Sequence, residues 1–146
     1  MSEQPRLRIF IFDDDPAITR LLQIMLSHKG HHVRTFPNPT ACPVYNRTAC
    51  TCPQDLPCAD VIITDIMMPH MSGIDMLALQ KAHGCKALAA NKALLSASVN
   101  AEIQQAAADL GCHFLKKPFR INEVLDWLEE CAQRLPANRQ LADLEP

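Results

Sequence analysis

The sequence lacks a surplus of positive charge, a long apolar run and any internal repeat. Its 14 Lys and Arg residues are scattered and are outnumbered by 16 Asp and Glu, which gives a formal net charge of −2. This balance disfavours direct binding to nucleic acid. No apolar stretch approaches the roughly 18 residues that a membrane helix needs, and residues 1–8 lack the basic and then apolar pattern of a signal peptide. We therefore expect a soluble cytoplasmic protein that binds neither nucleic acid nor a membrane.

The length and composition suit one folded domain. The chain has 146 residues, of which 48% are hydrophobic, so it can bury a single core and has no room for a second folded domain. We expect this domain to cover residues 1–135. The short polar stretch 136–146 should form a flexible tail.

Short apolar runs alternate with helical patterns along the chain. Between residues 18 and 26 apolar side chains recur at three- and four-residue spacing, after Asp15 as a helix cap and Pro16 as the first helical residue. Strands are predicted at residues 7–12, 32–36, 61–65, 93–96 and 113–116, and later helices at 73–82, 100–110 and 121–135. This alternation predicts a doubly wound α/β domain with a parallel sheet and helices on both faces.

Residues 37–58 interrupt the alternation where a second helix is expected. Five of these residues are proline, which lacks a backbone N–H and breaks helices. A regular helix could survive only between about residues 44 and 51.

Residues suited to phosphoryl chemistry follow four of the predicted strands. Asp13 and Asp14 follow the first strand, Asp65 ends the third, Ser96 ends the fourth and Lys117 follows the fifth. The carboxyl ends of parallel strands share one edge, where open α/β folds place their ligands. Three carboxylates supply enough oxygen for one Mg²⁺ and leave Asp65 as the natural nucleophile toward phosphorus. The serine hydroxyl and the lysine could then bind the phosphoryl oxygens.

Four short motifs in this order resemble those of the bacterial response-regulator receiver domain, and the similarity spans about residues 6–135. They are Phe12-Asp13-Asp14-Asp15-Pro16, Asp65-Ile66-Met67-Met68-Pro69 with Gly73, Ser96-Ala97, and Lys117-Pro118-Phe119. The resemblance implies a flavodoxin-like fold of five strands in the order 2-1-3-4-5, and a single-domain response regulator of a two-component phosphorelay. A sensor histidine kinase or a phosphotransfer protein would donate the phosphoryl group. The protein would catalyse only that transfer and its own dephosphorylation.

The same resemblance assigns roles to particular residues. Asp65 would be the phosphoacceptor, and the Mg²⁺ ligands would be Asp13, Asp14, Asp65 and the backbone carbonyl of Met67.

A conformational switch is also implied. Ser96 takes the position of the switch hydroxyl, Lys117 that of the lysine beside the phosphoryl group, and Phe114 that of the switch aromatic. A downstream protein partner would bind the face built from the family's fourth helix, fifth strand and fifth helix. In this chain these are the last two predicted helices and the strand between them.

The cysteines depart from the family pattern. The chain has seven, of which Cys42, Cys50, Cys52 and Cys58 fall in the proline-rich segment. Cytosolic thiols are normally reduced, so buried structural thiols are the default, and a redox-sensitive pair or a disulfide is a second interpretation. A zinc or iron–sulfur site at Cys50, Cys52, Cys58 and Cys85 is a third, although the one-residue gap between Cys50 and Cys52 is not the usual zinc spacing.

Two other functional classes remain open at this point. Asp13-Asp14-Asp15 after an apolar strand also resembles the haloacid-dehalogenase-type phosphatases, in which Asp13 would attack and Asp15 would act as acid and base, but Ala17 stands where that motif has Thr or Val. That hypothesis also leaves Asp65 without a role. The other possibility is a receiver-like interaction module regulated through its cysteines or a metal bound to them.

Overall fold

The computed structural model describes residues 6–42, 56–98 and 100–143. It contains five strands, β1 (Arg8–Phe12), β2 (His32–Phe36), β3 (Val61–Asp65), β4 (Lys92–Ser96) and β5 (His113–Lys116). Its four α-helices are α1 (Pro16–His28), α2 (Gly73–Ala82), α3 (Ala101–Leu110) and α4 (Ile121–Gln133). Within the described ranges, no helix is long and apolar enough to cross a membrane.

The strands form one parallel sheet in the order β2-β1-β3-β4-β5. In register, Ile9 of β1 lies opposite Val33 of β2 and Val61 of β3. The predicted fold class and strand order are therefore confirmed. Parallel pairing requires crossover connections, and these place helices over both faces of the sheet.

Two apolar layers cover the sheet because successive side chains of a strand point to opposite faces. Ile9 and Ile11 of β1 belong to one buried cluster together with Trp127 of α4. Phe10 and Phe12 belong to the other cluster, on the side of α2 and α3. Burial on both faces explains why β1 reads as a continuous apolar run.

Side-chain caps set the starts of three helices. The Asp15 side chain accepts a hydrogen bond from the N–H of Ala17, as the sequence predicted for α1. Ser72 caps α2 and Asn100 caps α3 in the same way. Each cap satisfies an N–H that the first helical turn leaves without a partner. Asn100, predicted as helical, is therefore the residue before the helix.

The proline-rich segment is described only at its two ends. Residues Pro39–Ala41 form a short 3-10 turn, which the Asn38 side chain caps. The possible helix at 44–51 lies outside the described residues.

The described residues after α4, up to residue 143, pack against the edge of the sheet where the strands begin; the flexibility expected of 136–146 stays a prediction. Arg139 donates two hydrogen bonds to the carboxylate of Asp60, at 2.6 and 2.8 Å. The N–H of Ala142 donates to the carbonyl of Pro57, and Arg8 donates to the carbonyl of Ala142. The buried Asp60 carboxylate requires a counter-charge, and Arg139 supplies it from this segment.

Candidate active site

Three of the residues predicted at the carboxyl edge of the sheet contact one another directly. The Lys117 ammonium lies 3.0 Å from a carboxylate oxygen of Asp13 and 3.1 Å from one of Asp65. Asp13 follows β1, Asp65 ends the neighbouring β3, and Lys117 follows β5. The parallel topology thus brings together residues that lie up to 104 positions apart.

A cluster of three carboxylates forms at the same edge. Asp13, Asp14 and Asp65 each offer an oxygen, and these oxygens all lie within 4.8 Å of one another. Asp13 and Asp65 are buried, whereas Asp14 is exposed, so the cluster opens to solvent on one side. Three hard oxygen donors at this spacing fit Mg²⁺, which takes one or two carboxylates and keeps several waters.

Burial and charge tune the two partners of the central ion pair. Burial raises the pKa of Asp65, the hydrogen bond from Lys117 opposes this, and the nearby charge of Asp13 adds to it. Burial lowers the pKa of Lys117, but its hydrogen bonds to Asp13 and Asp65 outweigh that effect and raise its pKa overall. Lys117 is therefore a permanent positive charge beside Asp65.

The backbone at Asp65 is held by close packing against the start of α2. Oγ1 of Thr64 donates to the Asp65 carbonyl at 2.9 Å, and the N–H of Gly73 donates to the Ile66 carbonyl at 3.0 Å. A Cβ on Gly73 would overlap the Asp65 carbonyl oxygen. Sequence reasoning missed Thr64, whose signal is a single hydroxyl residue inside an apolar strand.

Ser96 lies on the neighbouring strand β4 and is buried. Its Oγ accepts a hydrogen bond from the N–H of Ser98 at 3.0 Å, and its carbonyl accepts one from the N–H of Lys117 at 2.8 Å. In the described part of the chain no hydrogen bond joins Ser96 to Asp65. The structure thus places Ser96 at the predicted edge, with its hydroxyl engaged in the loop that follows β4.

Within the described residues, neither Phe114 nor Met67 makes a hydrogen bond or an ion pair with the acidic cluster, whereas the N–H of Asp15 donates to a carboxylate oxygen of Asp13 at 2.9 Å. Phe114 on β5 is partly buried against the cluster on the α2 and α3 side. Met67 is 76% exposed in the loop after β3. Asp15 is occupied as the cap of α1, which leaves the phosphatase hypothesis without its acid–base residue.

The cysteine metal site is not supported within the described residues. Cys50 and Cys52 lie outside them, and the acidic cluster is the only group of three or more His, Cys, Asp or Glu residues found there with metal-ligand spacing. Burial raises the pKa of Cys112 to about 11 and that of Cys131 to about 12. These two thiols stay protonated at neutral pH and are poor metal ligands.

A family model for the response regulator receiver domain matches residues 9–129. The transcriptional regulatory protein KdpE of Mycobacterium tuberculosis is 32% identical over 138 residues, which cover 94% of this chain and 54% of KdpE. The two-component response regulator ORR23 of Oryza sativa is 25% identical over 142 residues, which cover 95% of this chain and 19% of ORR23. The chain thus spans about half the length of KdpE and about a fifth of ORR23.

Solved receiver domains share the fold. The receiver domain of the Francisella response regulator 1452 superposes with a TM-score of 0.71 at 22% identity, covering 88% of this chain and 98% of that one. The BeF3-activated DrrB receiver domain gives a TM-score of 0.69 at 20% identity, covering 89% of this chain and 100% of that one. Because the family model covers most of the chain, the protein belongs to the response regulator receiver domain family.

Proposed function

We propose that Asp65 accepts a phosphoryl group from a sensor histidine kinase or a phosphotransfer protein. The observation that carries this proposal is the Lys117 ammonium between Asp13 and Asp65, within a cluster of three carboxylates. A carboxylate oxygen of Asp65 attacks phosphorus and forms an O–P bond. The P–N bond to the donor's imidazole breaks, and the departing imidazole takes up a proton.

Each neighbour of Asp65 has a separate task. Asp13, Asp14, Asp65 and the backbone carbonyl of Met67 would hold Mg²⁺, which would partly neutralise the phosphoryl oxygens and shield them from the carboxylates. Lys117 already lies 3.1 Å from Asp65. Its ammonium can therefore exchange its ion pair with the carboxylate for one with a phosphoryl oxygen without a large movement.

Phosphorylation then changes the loop after β4. The Ser96 oxygen accepts from the Ser98 N–H, so the serine O–H remains able to donate to a phosphoryl oxygen. Movement of Ser96 toward the phosphoryl group frees space for Phe114, which lies on the adjacent strand β5. Phenylalanine has no hydroxyl, so its contribution to the switch is steric.

The output passes to a downstream protein partner through the face formed by α3, β5 and α4, without direct contact with nucleic acid. This face contains Phe114 and lies beside the loop that Ser96 controls, so it is the surface that the switch reshapes. We propose a cytoplasmic location, which agrees with the unpaired thiols of Cys85, Cys112 and Cys131.

Intact-mass measurement after treatment with a small phosphodonor and Mg²⁺ tests the proposal. We expect one phosphoryl adduct on the wild type, no adduct on Asp65→Asn, and slow formation on Asp13→Asn. Asp75→Asn is a matched control, because Asp75 is an exposed carboxylate on α2. It should react like the wild type.

The outcome that contradicts the proposal is equally specific. An adduct that survives Asp65→Asn and disappears in Asp13→Asn would identify Asp13 as the nucleophile and favour a phosphatase. An unmodified wild type, under conditions that phosphorylate another receiver domain, would also reject Asp65 as an acceptor.

A further inference from the structure

A second feature lies at the opposite edge of the sheet, where the strands begin. A cavity of about 280 Å³, open to solvent on one side, is lined by the end of α2, the loop that leads into β4 and the end of α3. Its polar lining consists of Lys81, Lys86, Lys92, Cys85 and Cys112. β4 starts at Lys92 and ends at Ser96, so the cavity is separated from the acidic cluster by the length of a strand, roughly 13 Å. It plays no part in the phosphoryl chemistry proposed above.

The charge of this cavity is positive, and no described residue in its lining supplies a counter-charge. Three lysines line it, and no aspartate or glutamate does. Lys92 is only 5% exposed, and its ammonium donates to the neutral amide oxygen of Gln80 at 2.8 Å. Among the described residues, no carboxylate lies within ion-pair distance of the Lys92 ammonium. A buried ammonium with one neutral acceptor has donors to spare and is costly to maintain without an anion.

The other two lysines reinforce the positive charge. The Lys81 ammonium donates to the backbone carbonyl of Asp109 at 3.0 Å, and that of Lys86 to the carbonyl of Gly84 at 2.9 Å. Both acceptors are neutral, so neither lysine loses its charge to an ion pair. The Cys112 thiol adds no negative charge, because burial raises its pKa to about 11.

The rest of the lining is apolar. Leu77, Leu88 and Leu110 contribute to the walls together with alanines. The volume is close to the lower end of small-molecule sites, which span roughly 300–1,000 Å³. The cavity can therefore hold a short apolar body as well as a charged group.

We propose that this cavity binds a small organic anion, with its carboxylate or phosphate group on Lys92 and Lys86 and its short apolar part against the leucines. Such a ligand would supply the counter-charge that no described residue gives Lys92, and would remove apolar wall surface from water. The proposal is independent of phosphorylation at Asp65.

Calorimetric titration of the full chain tests this site with three probes: hexanoate, inorganic phosphate and the neutral analogue hexanol. We expect saturable binding of hexanoate and much weaker binding of hexanol. Lys92→Met keeps the side-chain length and removes the charge, and should raise the Kd for hexanoate about tenfold or more. Lys86→Met changes an exposed residue, so it tests the same charge without risk to folding. Lys29→Met, at an exposed lysine after α1, should bind like the wild type.

Protection of a thiol provides a second readout. Cys85 lines the cavity and Cys58 does not, so saturating hexanoate should slow alkylation of Cys85 by iodoacetamide and leave the rate at Cys58 unchanged. Peptide mass mapping separates the two rates.

Three results would overturn the proposal. Failure of the wild type to bind hexanoate would reject an organic anion, and binding of phosphate alone would replace it with an inorganic ion. Equal binding of hexanoate by the wild type and by both lysine variants would place the ligand elsewhere.

Discussion

Replacing Gly73 with alanine tests how closely the start of α2 is packed against the backbone of Asp65. The new methyl group would overlap the Asp65 carbonyl oxygen and lie 2.9 Å from Oγ1 of Thr64. The carbonyl accepts a hydrogen bond from Thr64 and cannot easily turn away. Overpacking lowers the free energy of unfolding by about 1–3 kcal/mol, and the loss should lie near the upper end of this range when the obstacle is a backbone atom. Alanine recovers about 0.5–1 kcal/mol of helix propensity. We expect a net loss of about 2 kcal/mol, a factor of roughly 30 in the folding equilibrium.

Two assays measure this effect. Urea unfolding, followed by the fluorescence of the single tryptophan, gives the change in the free energy of unfolding. Intact-mass measurement gives the rate of phosphorylation, which should fall because the Asp65 backbone is displaced. Gly84→Ala is the control, since Gly84 also has a constrained backbone, at φ +75°, but a Cβ there would meet only the Lys86 ammonium, at 4.0 Å. It should lose stability through backbone strain and keep the wild-type rate of phosphorylation. Wild-type stability and rate in Gly73→Ala would refute the packing argument.

Three further changes test charges. Lys117→Met removes the counter-ion of two carboxylates, so without metal the variant should lose about 3 kcal/mol of unfolding free energy in urea. Mg²⁺ should stabilise this variant more than it stabilises the wild type. Equal stabilisation of the two proteins would contradict the ion-pair role. Burial lowers the pKa of His31 in the folded protein. Between this lowered pKa and about pH 6.5 the unfolded chain therefore binds more protons than the folded one. The free energy of unfolding should decrease as the pH is lowered through this range, by at most about 1.4 kcal/mol per pH unit. His31→Gln should flatten this slope, and an unchanged slope would exclude His31 as its source. Arg139→Met leaves the buried Asp60 without its ion pair and should cost about 3 kcal/mol, whereas the exposed Arg20→Met should cost nothing; equal costs would show that the Asp60 ion pair adds nothing.

The helices and strands were largely predictable because their signals are local. The sequence prediction places β2, β3, α2 and β5 at the residues where the structure has them. The predicted and observed elements differ at their ends. For example, α4 ends at Gln133 and not at 135, because the final turn of a helix depends on a few weak hydrogen bonds. Apolar runs and capping residues act over a few positions, so they can be read from the sequence.

The acidic site was predictable for a different reason. Once the strands are parallel, their carboxyl ends must meet at one edge, so Asp13, Asp65 and Lys117 converge whatever the details of packing. The structure adds the ion-pair distances and the hydrogen bond from Thr64 to the Asp65 carbonyl. These depend on side-chain direction and on the approach of α2, which no motif encodes.

The sequence by itself determined the fold class and the residues of the acidic edge, because alternating local patterns and parallel topology leave few alternatives. The strand order came from the resemblance of its motifs to those of receiver domains. Only the tertiary structure decided that Arg139 neutralises Asp60 across 79 positions of the chain, and that Lys92 is buried beside a cavity in which no described carboxylate pairs with it. Both residues look like ordinary charged residues in the sequence. Their environment arises from segments that are distant in the chain, and burial and charge pairing exist only after those segments pack together.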